Sequence, residues 1–183
     1  MTTFMAIGEV AEWLKERGLL GPKRVPLLEE VDYSKLCEVR WFGFANQLYR
    51  VHEDLADILA GFFKNEEEVL LCIHDWAMVV DGDGQVVDAA GLNIFYRFRQ
   101  ALGEPAMVWD KPGHLFRDEH LDMQSLLRLV LALQWDVDLV SGSGKVVARV
   151  FDMDICSLYA ADPILLNAEL LERFDKLGES RPE

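Results

Sequence analysis

Apolar residues recur at helical spacing in five stretches of the chain and cluster or alternate in several others. Ile7, Val10, Trp13 and Leu14 fall on one side of a 3.6-residue helix, and Gly18 stands where a C-terminal cap belongs, so the pattern predicts a helix over 7–17. Leu55, Ile58, Leu59 and Phe62 predict a second over 52–64. Leu92, Phe95, Phe98 and Leu102 predict a third, stopped by Gly103. Leu126, Leu129, Val130 and Leu133 mark a fourth within 121–133, with Asp118 or Asp122 as its cap. Ile164, Ala168, Leu171 and Phe174 give a fifth, opened by Asp162-Pro163 and closed by Gly178, with a mobile tail beyond.

Strand signals lie between these helices. Segment 37–44 is rich in aromatic and β-branched residues. Segment 69–80 is a strand-like run, and Asp81-Gly82-Asp83-Gly84 reads as a hairpin turn that returns 85–87 beside it. A short strand is expected at 106–109, a turn at 111–113, and a loop at 114–120 anchored by Leu115 and Phe116. Segments 135–140 and 146–153 flank Ser141-Gly142-Ser143-Gly144 as a second hairpin. Closing it at Gly142-Ser143 sets Leu139 opposite Val146, Val137 opposite Ala148 and Asp136 opposite Arg149. One face is then wholly apolar (Trp135, Val137, Leu139, Val146, Ala148, Val150). The other mixes Asp136, Asp138, Lys145, Val147, Arg149 and Phe151, and reads as an open outer face. The sum is one α+β domain over 1–183, with a mostly antiparallel sheet, two hairpins and about five helices.

Charge narrows the function classes. The chain holds 18 Lys+Arg against 32 Asp+Glu, a formal charge of -14, and most of the excess lies after residue 64. A surface of that sign repels phosphates and argues against general nucleic-acid binding. With 51% hydrophobic residues the composition is that of a folded domain, and no apolar run reaches the length that spans a membrane. Glu9 and Glu12 interrupt the first apolar stretch, which excludes a secretory leader there and predicts a cytoplasmic protein. Cys37, Cys72 and Cys156 are odd in number and lack a C-x-x-C, so they read as reduced, buried thiols.

Four groups of residues bear on chemistry. His74-Asp75, with His52 upstream and aspartates downstream, loosely resembles the H…HD…D pattern of the HD-domain metal phosphohydrolases. That resemblance implies a metal that activates water, held by imidazoles and carboxylates in an all-helical domain. Here the doublet stands in a strand-like run, where neighbouring side chains point to opposite faces. His114 and His120 bracket Asp118 and Glu119, a second possible metal set, but without a zinc spacing. The Asp-Gly repeat at 81–84 lacks the further ligands of a calcium loop. No nucleophile elbow, phosphate loop or dinucleotide fingerprint occurs. Arg97 and Arg99, beside Phe98, read as solvated helix positions.

These features lead to a non-catalytic expectation with no cofactor. The chain reads as an acidic protein-interaction module for a basic protein partner, working as immunity proteins against nuclease toxins and nucleic-acid mimics do. Its expected contacts are Asp136, Asp138, Asp152 and Asp154, with Asp81 and Asp83. Two alternatives stand beside it. One is a metal-dependent hydrolase using His52, His74, Asp75, His114 or His120; the other is a non-catalytic assembly subunit.

Overall fold

The computed structural model describes residues 2–20, 31–43, 48–74, 89–104, 111–151 and 155–179. Seven strands form one antiparallel sheet: β1 Thr3–Met5, β2 Cys37–Gly43, β3 Glu68–Ile73, β4 Gly113–Arg117, β5 Val137–Ser141, β6 Val146–Phe151 and β7 Ile155–Ala160. Their spatial order is β1-β4-β3-β5-β6-β7-β2. Five α-helices accompany them: α1 Ile7–Glu16, α2 Leu48–Phe62, α3 Ala89–Ala101, α4 His120–Ala132 and α5 Ala168–Glu179. The chain is therefore an α+β protein.

Both faces of the sheet are buried, and the alternation of side chains sorts them. Val69, Leu71 and Ile73 of β3, Val137 and Leu139 of β5, and Val146, Ala148 and Val150 of β6 turn to one face. There they meet Leu55, Ile58 and Leu59 of α2, Phe95 of α3, Met123, Leu126, Leu127 and Val130 of α4, and Phe174 of α5. Leu70, Cys72, Val140 and Val147 turn to the other face and are covered by Val10, Trp13 and Leu14 of α1 together with Leu19 and Val31. Gly113 makes the approach of α1 possible, since a Cβ there would overlap the Val10 side chain. Burial on both sides explains why the central strands read as apolar runs rather than alternating ones.

Several expectations need correction. The 114–117 segment is the strand β4, paired with β1 and β3, not a loop. Both edges of Glu68–Ile73 are occupied, by β4 and β5; the expected turn at 81–84 and the returning 85–87 segment lie outside the described residues. The second hairpin exists, but its register differs by two residues: Leu139 faces Ala148, Val137 faces Val150, and Asp138, not Asp136, faces Arg149. A shift of two keeps every side chain on its expected face, and Trp135 is accordingly buried. The loop is wider because Ser141 Oγ accepts from the N–H groups of Lys145 and Val146 at 3.1 and 3.0 Å, while Gly144 takes φ +69°.

The helices also depart from expectation at their ends. Asp162-Pro163 opens a short 3-10 turn, Pro163–Leu165, and α5 starts only at Ala168, where Asn167 Oδ1 accepts from Leu170 N–H. Ile164 is therefore exposed rather than part of a buried stripe. Neither Asp118 nor Asp122 caps α4, whose N-cap is Glu119. Arg99 is fully buried on α3, not solvated, with its guanidinium 4.9 Å from the Phe4 ring. Cys37 is exposed, while Cys72 and Cys156 are buried as expected.

Candidate functional site

The sheet face toward α1 carries one polar row inside its apolar surroundings. Cross-strand register places Cys72, Asp138, Arg149, Ser157 and Trp41 side by side on β3, β5, β6, β7 and β2. Asp138 points into this face because Val137 and Leu139 are drawn to the helical side. Its carboxylate is only 2% exposed and lies at the centre of the row.

Three side chains converge on it. Tyr33 OH donates to the Asp138 oxygens at 3.2 and 3.1 Å. His74 Nε2 lies 2.8 Å from Oδ2, and because a carboxylate only accepts, that nitrogen supplies the proton of the bond. Arg149 Nε stands 3.8 Å from Oδ1. His74 is placed by its backbone, whose N–H donates to Asp136 O at 2.9 Å. Tyr33 is placed by stacking on Tyr159, with ring centroids 4.5 Å apart. The Arg149 guanidinium lies 5.8 Å from the Tyr33 ring and 4.9 Å from that of Phe151.

The electrostatics follow from this geometry. Burial and the adjacent Asp138 charge both push the Tyr33 phenol upward, so it remains a donor at all physiological pH. The same two causes raise the Cys72 thiol, which is therefore no thiolate nucleophile. Burial is the largest single influence and disfavours the Arg149 cation, but Asp138, Tyr33 and Asp136 together outweigh it, and the net displacement is upward. Asp138 itself is satisfied by Tyr33 and His74, whereas the buried His74 Nδ1, Arg149 Nε and Ser157 Oγ beside it find no hydrogen-bond partner among the described residues. The cluster ties the 31–36 segment to the middle of the sheet and does not present Asp138 to a partner.

The predicted contact residues are thus divided. Asp138 is interior, which overturns its reading as a docking carboxylate. The face was expected to be open because the hairpin alone alternates; α1 and Tyr33, distant in sequence, cover it. Asp136 is half-buried at the start of β5. Asp81, Asp83, Asp152 and Asp154 lie outside the described residues. In the acidic run Glu66-Glu67-Glu68, Glu68 pairs with Arg17 and Arg117, and Glu66 accepts from Ser143.

The possible metal residues are not brought together. His74 turns to the α1 face. His114, opposite Leu71, turns to the helical face, between the rings of Phe4 and Phe95 at 5.5 and 6.0 Å. Burial and then the Arg99 cation push His114 down to about 3, against a weaker upward pull from the nearby Pro112 and Leu71 backbone. His52 lies on α2, His120 opens α4, and Asp75 is outside the described residues. Among the described residues no group of three or more His, Cys, Asp or Glu is placed to hold a metal ion. His74 also follows a sheet strand, unlike the helical setting that the HD resemblance implies.

Tyr33 was not visible in the sequence as a site residue, because nothing local links it to Asp138. Arg149 was visible as a same-face neighbour of Asp138 through the alternation. No family model, curated protein or solved structure matches the chain. Among the described residues, no helix is long and apolar enough to cross a membrane.

Proposed function

We propose that the protein acts by binding rather than by catalysis, as an acidic module for a basic protein partner. One observation supports this most. β3 ends, β5 begins, β6 ends and β7 begins at the same end of the sheet, since Ile73 pairs with Val137, Val137 with Val150, and Phe151 with Ile155. The sequence following or joining those strand ends is rich in aspartate. Segments 75–88, which follows β3, and 152–154, which joins β6 to β7, contain six Asp and no Lys or Arg. Asp136 stands at the same end, at the start of β5. Carboxylates in the sequence that continues from those strand ends would attract a cationic surface over distance and speed encounter with it.

Asp138 leaves the contact set in this reading and becomes the internal support of the strands that carry the others. Asp81, Asp83, Asp136, Asp152 and Asp154 remain as the proposed contacts. The test is capture from an extract of the source cells on immobilised protein, washed in steps of rising salt. The reading expects a retained protein of basic isoelectric point that elutes as salt screens the interaction. Retention of acidic or neutral proteins alone, insensitive to salt, overturns it. A stable homo-oligomer with no basic ligand favours an assembly subunit instead.

A further inference from the structure

We draw no further inference here: the strongest candidate, the outer edge of β2 with the exposed Trp41 and the 470 Å³ groove lined by Glu38, Val39, Arg40 and Trp41, carries none, because nothing in the structure shows what covers it.

Discussion

Asp138 shows how one buried carboxylate can organise a sheet face. It accepts from Tyr33 and His74 and sits beside Arg149, so removing its charge leaves a partly buried cation and two donors poorly matched. Asp138→Asn is expected to destabilise the fold by about 3–5 kcal/mol, the range for breaking a buried ionic contact. Tyr33→Phe removes one hydrogen bond to a charged acceptor and is expected to cost about 1.5–3 kcal/mol. Urea denaturation of the two single variants and the double variant checks this. A double-variant loss equal to the sum of the singles would show that Tyr33 and Asp138 act independently. His114 supplies a pH test. Its folded value of about 3 is below the ordinary 6.5, so the unfolded chain binds the extra proton between those limits. Its contribution is complete above pH 6.5 and is lost as pH falls toward 3, at about 1.4 kcal/mol per unit. His114→Phe should flatten this part of the acid limb; an unchanged slope would mean that other groups set it.

The elements were legible where the pattern is local. Helical stripes such as Val10, Trp13 and Leu14, or Leu126 and Val130, depend only on spacing and on one buried face. β4 was missed because five residues beginning with Gly113 and containing His114 carry no strand alternation, and their pairing partners lie far off in sequence. The hairpin faces were readable, but its register was not: alternation has period two, and the wider loop is fixed by bonds it does not reveal, those of the Ser141 side chain and of Gly144 N–H to Ser141 O. The core placement of Trp135, 5.0 Å from the Phe95 ring, predicts that Trp135→Ala costs about 3–5 kcal/mol by thermal or chemical denaturation. Gly113→Ala tests the contact between α1 and the sheet. The added methyl should cost about 1–3 kcal/mol through overpacking, and Val10→Ala should recover part of that loss. A neutral Gly113→Ala would mean that α1 is seated differently.

At the scale of the whole molecule, the α+β class and the acidic excess were both readable in advance, since composition and element periodicity need no tertiary information. The burial of Asp138 was not, because it depends on α1 and Tyr33 meeting a face in which β5 and β6 lie more than a hundred residues later. The binding reading then separates two roles for aspartate, one internal and one at the end of the sheet. The most direct measurement compares the affinity of the captured partner for two charge-matched variants. One replaces Asp81, Asp83, Asp152 and Asp154 by Asn; the other neutralises Glu53, Asp54, Glu169 and Glu172 on α2 and α5. At fixed salt, the first set is predicted to weaken binding at least tenfold, about 1.4 kcal/mol, and the second to change it by no more than the general loss of charge requires. Equal weakening by both sets, or none by either, would contradict a contact at the aspartate-rich end.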